Sequence, residues 1–123
     1  MPSPKVLAQF IACVEANKHA EAIEEFYAPG ASMRENHKEP RVGRDKLAAR
    51  ERALLAKARS VKSQCIRPVF VDGDHVVIRW TFDFDWLDGR STHMDELAYQ
   101  RWEGDKIVEE QFFYDPSQLA AAN

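Results

Sequence analysis

The chain is 123 residues long, 45% hydrophobic and 30% charged, with a formal net charge of −3, as expected of a single globular domain with room for one core. No apolar run reaches membrane-spanning length. Lysine and arginine are scattered rather than striped, so neither a membrane nor nucleic acid is an expected partner. Residues 1–5 lack the basic, apolar and small-residue sections of a secretory signal. Cys13 and Cys65 are the only cysteines, which makes neither a disulfide framework nor a zinc spacing; the expected setting is the cytoplasm.

In chain order, Val6, Leu7, Phe10, Ile11, Cys13 and Val14 recur at helical spacing between Lys5 and Asn17, predicting an amphipathic helix. A shorter helix from Ala20 buries Ala22, Ile23, Phe26 and Tyr27 and stops at Pro29-Gly30. "ASMRENHKEP" then alternates, with Ala31, Met33, Glu35 and His37 on one side, as a short strand does, and "KEPRVG" reads as a loop. Arg44 to Ala58 returns to helix, with Leu47, Leu54, Leu55 and Ala58 inward and "ARERA" as a solvated charged face. Four strands follow: "SVKSQCIRPVFV", "HVVIRWTFDFDW", "STHMDELAYQRWE" and "KIVEEQFFYD". Helices first and strands last is an α+β order.

Strand register decides which side chains meet. From His75 to Trp86 the even positions Val76, Ile78, Trp80, Phe82, Phe84 and Trp86 are all apolar, so that face is buried. A two-residue turn at Asp88-Gly89 would bring His93, Asp95, Leu97 and Tyr99 beside it. A three-residue loop, Leu87-Asp88-Gly89, brings Thr92, Met94, Glu96, Ala98, Gln100 and Trp102 instead. The second choice buries Met94 and Trp102 rather than His93, Asp95 and Arg101 and is the expected one. The same choice arises at Glu103-Gly104-Asp105: a three-residue loop puts Val108, Glu110, Phe112 and Tyr114 inside, with Ala98 opposite Glu110 and Glu96 opposite Phe112, whereas a two-residue turn at Gly104-Asp105 gives the opposite parity; the first is the expected one. Glu96 and Glu110 then become diagonal neighbours. Burial and like charge raise the pKa of at least one of them, making it fit for proton transfer near neutral pH.

This layout resembles the nuclear transport factor 2-like superfamily. "EAIEEFYAPGASMRE" is similar to the segment of its ketosteroid isomerase branch in which a helix ends in Tyr-Ala and the next strand delivers the base. "GDKIVEEQFFYDP" is similar to the C-terminal hairpin of the SnoaL-like polyketide cyclase branch. The resemblance spans nearly the whole chain. It implies a cone-shaped α+β barrel: a strongly bent antiparallel sheet wrapped around the N-terminal helices, with an apolar pocket and homodimerisation through the outer sheet face. By position it puts the isomerase base at Glu35. Three positions depart from the pattern: Phe10 and Ala98 stand where that branch keeps an oxyanion-binding tyrosine and aspartic acid, and Phe112 stands near the acid of the cyclase branch. Steroid isomerisation is therefore not the expected chemistry.

The candidate catalytic residues are Glu35, Glu96 and Glu110. The structural alternatives are a rim carboxylate paired with an arginine for Glu35, and a network tied to Gln100 and Tyr114 for the other two. Tyr27, Trp80, Phe82, Met94, Gln100, Phe112 and Tyr114 are the candidate ligand contacts, around a small apolar ligand. His37 beside Glu35, and His93 beside Asp95, match no ligand spacing, so no metal or cofactor is expected. Val77, Leu97, Tyr99, Ile107 and Phe113 would form an apolar stripe on the outer face, where a homodimer is expected. The functional reading is cofactor-independent acid–base chemistry, as an isomerase, cyclase or lyase, on an apolar cyclic or carbonyl compound. The alternative is a non-catalytic binding or association domain.

Overall fold

The computed structural model describes residues 1–120. Helix α1 (Pro4–Glu15) starts at Ser3, whose Oγ accepts the Val6 N–H at 3.1 Å, with Pro4 in the first turn, where its missing N–H costs nothing. Asn17, at φ 66°, turns the chain into α2 (His19–Phe26). That helix ends one residue earlier than its apolar pattern: Tyr27 is already extended, at φ −100° and ψ 144°, and begins strand β1 (Tyr27–Glu35). The expected loop after it contains a two-residue strand, β2 (Arg41–Val42), paired with Ser32 and Met33. Helix α3 (Arg44–Leu55) leads to the long strands β3 (Ala58–Asp72), β4 (His75–Trp86), β5 (Ser91–Glu103) and β6 (Lys106–Phe113), and a short α4 (Ser117–Ala120) follows.

The six strands make one bent, unclosed sheet in the order β2-β1-β6-β5-β4-β3. All pairings are antiparallel except β1 with β6, which is parallel, so the expectation of a wholly antiparallel sheet is corrected at one joint. Returning from the helices, the chain enters the sheet beside its last strand, in the same direction. The three longer helices cover the concave side, where Phe10, Ile11, Ile23, Phe26 and Leu47 meet Val76, Ile78, Trp80, Ala98 and Trp102. The α+β cone expected from the sequence is the architecture observed.

The β4–β5 turn is the three-residue loop, closed by Trp86 N–H to Arg90 O at 2.9 Å with Gly89 at φ 92°. It sets Met94 opposite Phe82, Glu96 opposite Trp80 and Gln100 opposite Val76. At the β5–β6 turn the expected three-residue loop does not form. Glu103 pairs with Lys106, so Gly104-Asp105 is a two-residue turn. Continued regularly, that register would expel Glu110. Between the pairs Trp102–Ile107 and Arg101–Glu109 the register shifts by one, leaving Val108 as the extra residue of a β-bulge. Glu110 and Phe112 therefore face inward as expected, for a different reason. Ile107 moves from the predicted outer stripe to full burial, and Glu110 lies opposite Gln100, with Phe112 opposite Ala98.

Candidate functional site

Between the concave sheet and the helices lies a cavity of about 670 Å³, within the usual range for a small-molecule site. Its floor is an aromatic row along β4, with Trp80 stacked on Phe82 at 5.8 Å and Phe84 on Trp86 at 4.8 Å. Glu35, Glu96 and Glu110 all line this one cavity, together with Tyr27, Met94, Phe112 and Tyr114. Three separate strands, β1, β5 and β6, deliver the three carboxyls.

Glu110 is 3% exposed. Its Oε1 accepts the Tyr27 hydroxyl, and its Oε2 accepts Gln100 Nε2 at 2.7 Å. Gln100 is held in that orientation because its own Oε1 accepts Trp102 Nε1–H at 3.0 Å, and an indole nitrogen can only donate. Burial pushes the Glu110 pKa up to about 7 against the pull of these two donors, and Tyr27 is pushed well above its ordinary value by burial and by Glu110. Gln100 is thus not a ligand contact: it is fully buried outside the cavity lining, locked between Trp102 and Glu110. The network predicted around Gln100 and Tyr114 runs instead through Gln100 and Tyr27.

Glu96 is different. It stands two inward-facing rungs from Glu110 rather than diagonal to it, because the β6 register is shifted by two from the predicted one. No protein hydrogen bond or ion pair reaches its carboxyl among the described residues. Burial first, then the charges of Glu110 and Glu35, raise its pKa to about 8. Glu35 sits at the rim with Arg41 Nη2 3.3 Å from its Oε2, the arginine pairing foreseen as its structural alternative. Tyr114 lies within the influence of Glu35, and burial followed by that carboxylate pushes its phenol to about 12.

Pattern reading missed a further polar group. His19, at the start of α2, places Nε2 2.7 Å from Ser63 Oγ, which donates to Asn17 Oδ1 at 2.8 Å. His19 Nδ1 lies 3.3 Å from Glu51 Oε1. His19 and Glu51 line the cavity, as does Arg50 from the charged run expected to be surface. The run is exposed as expected except at Glu51, which falls on the stripe Leu47, Glu51 and Leu55, spaced by four; Leu54, predicted inward, borders the cavity while remaining 41% exposed. The Leu47–Glu51 spacing was the available signal.

Phe10 and Ala98 are core residues: Phe10 packs edge-on against Trp102 at 5.8 Å, and Ala98 is fully buried between strands. No group of three or more potential metal ligands occurs among the described residues, and no helix there is long and apolar enough to cross a membrane.

Residues 7–110 match the profile of the SnoaL-like domain family. Among solved structures, a candidate SnoaL-like polyketide cyclase from Mesorhizobium loti is 21% identical, with a TM-score of 0.74 over 89% of this chain and 97% of its own. A hypothetical protein with a ketosteroid isomerase-like fold from Catenulispora acidiphila, in complex with trimethylamine, is 17% identical, with a TM-score of 0.78 over 97% and 92%. A second candidate SnoaL-like polyketide cyclase, from Jannaschia sp., is 15% identical, with a TM-score of 0.78 over 98% and 94%. No curated protein matches the sequence. These likenesses establish the fold.

Proposed function

The chain belongs to the SnoaL-like domain family, and from that premise we propose that its cavity binds a small, largely apolar cyclic carbonyl compound and moves protons on it without a cofactor. The observation that carries this reading is Glu96: a carboxyl inside an aromatic-floored cavity, without a protein partner among the described residues, with its pKa raised to about 8. A group so placed is largely protonated near neutral pH and can give a proton to a carbonyl oxygen. Glu35 takes the part of the base that removes a proton from the adjacent carbon. Glu110 and Tyr27 orient the ligand, and the aromatic row supplies its contact surface.

The test asks for proton transfer rather than for a particular product. Cyclic ketones in D₂O at pH 7 should exchange their α-protons faster with the wild-type protein than with Glu96→Gln or Glu35→Gln, by about a hundredfold. Exchange that is equal for all three proteins sinks the catalytic reading.

A second reading, a non-catalytic binding domain, is favoured by one feature: both Glu110 oxygens and one of Glu35 are already engaged by protein donors. Ligand binding with no exchange in the same experiment would select it. The outer sheet face, where Leu97, Tyr99 and Phe113 stay exposed, supports a homodimer as the assembly. The two unpaired cysteines support a reducing, cytoplasmic setting.

A further inference from the structure

Glu51 has a built mounting that the chemistry above does not use. Its Oε1 lies 3.3 Å from His19 Nδ1, and His19 Nε2 lies 2.7 Å from Ser63 Oγ, which donates to Asn17 Oδ1. Three polar side chains, from α2, β3 and the α1–α2 turn, thus form a chain that holds one carboxylate of α3 on the helical wall of the cavity. Its second oxygen, Oε2, has no protein partner among the described residues. The His19 ring meets Phe82 edge-on at 5.2 Å, Phe82 stacks on Trp80 at 5.8 Å, and Trp80 lies opposite Glu96 in the β4–β5 ladder. Two polar stations therefore flank the Trp80–Phe82 stretch of the aromatic floor, Glu96 beside Trp80 and His19 with Glu51 beside Phe82.

We propose that Glu51, positioned by His19, is a second ligand-recognition station, accepting a hydrogen bond from an O–H or N–H group at the end of the ligand remote from the carbonyl that meets Glu96. Glu51 is the ligand contact and His19 the positioning residue. A carboxylate with a free oxygen on the wall of an aromatic-floored cavity calls for a donor and rejects a bare acceptor once a ligand has displaced water there, because an unpaired buried acceptor is costly and a charge-assisted hydrogen bond is strong. The ligand class is then a fused-ring carbonyl compound with a hydroxyl or amino group across the ring system from the carbonyl. Only the carbonyl end rests on the reading of Glu96 given above.

Bicyclic probes separate the two ends. 6-Hydroxy-1-tetralone, 6-amino-1-tetralone, 6-methoxy-1-tetralone, 1-tetralone and 6-hydroxytetralin are titrated by calorimetry into wild type, Glu51→Gln, His19→Gln and Glu96→Gln, with folding checked by thermal melts. Wild type should prefer the hydroxyl or amino probe over the methoxy probe by about tenfold, and the better of the two names the donor. Glu51→Gln, whose neutral amide oxygen accepts more weakly than a carboxylate, should shrink that preference while keeping the preference for tetralone over tetralin. Glu96→Gln should do the reverse. His19→Gln should reduce the donor preference with its melting temperature corrected for, which a merely structural histidine would not do. Equal binding of methoxy and hydroxyl probes by wild type, a donor preference undiminished in Glu51→Gln, or no binding of any probe at millimolar concentration overturns the proposal. A wild type that prefers the donor probes but binds tetralone and tetralin equally would count against the Glu96 reading and leave Glu51 standing.

Discussion

Glu96 and Glu110 are held by the fold at a cost, and the cost depends on pH. Their folded pKa values, about 8 and about 7, lie above the ordinary 4.5. Each group's contribution to stability is therefore complete below about pH 4.5 and is lost as pH rises through the folded value. Native protein binds more protons than unfolded protein across that window, so stability falls with pH between about 4.5 and 8. Glu96→Gln removes its share of the loss. In urea melts the variant should be more stable than wild type at pH 9, on the order of a few kcal/mol, with the gain vanishing at pH 5. A gain of equal size at both pH values would show that packing, and not charge burial, sets the difference.

The β-bulge at Val108 governs which face of β6 enters the cavity. A two-residue turn and an inward Glu110 are incompatible in a regular ladder, and one extra residue reconciles them. Deleting Val108 removes the extra residue while leaving Trp102 paired with Ile107 and Gln100 with Glu110. The deletion should therefore be tolerated, with Glu110 still titrating at about 7 when its carboxyl carbon is followed by NMR. A Glu110 that titrates like a free glutamate would mean the strand had turned over instead. On α3 the equivalent device is the four-residue spacing of Leu47, Glu51 and Leu55, the more buried stripe of the helix, which delivers Glu51 to the cavity.

At the scale of the molecule, the sheet has two faces with different tasks. The concave one holds the core and cavity, while the convex one leaves Leu97 44% and Tyr99 47% exposed, bordered by the ion pairs Arg79–Asp95 and Arg101–Glu109. Apolar side chains framed by paired charges suit an isologous contact between two copies. Light scattering should give twice the 14.1 kDa chain mass for wild type and the single mass for Leu97→Asp with Tyr99→Asp. A monomeric wild type at micromolar concentration would end the dimer proposal.

The order of the longer elements, the buried face of β4, the three-residue β4–β5 loop and the inward parity of Glu96 were determined by the sequence alone, whereas the inward parity of Glu110 came out as expected only through the bulge. Each of the former rests on local periodicity or turn chemistry, which a strand or helix carries within a few residues. The tertiary structure alone decided the parallel β1–β6 joint, the Val108 bulge, the withdrawal of Gln100 behind Glu110, and the union of His19, Glu51, Ser63 and Asn17. These depend on contacts between residues tens of positions apart, as between His19 and Ser63 or Tyr27 and Glu110. No periodicity encodes such pairs; they exist only once the sheet has bent around the helices and closed a cavity between them.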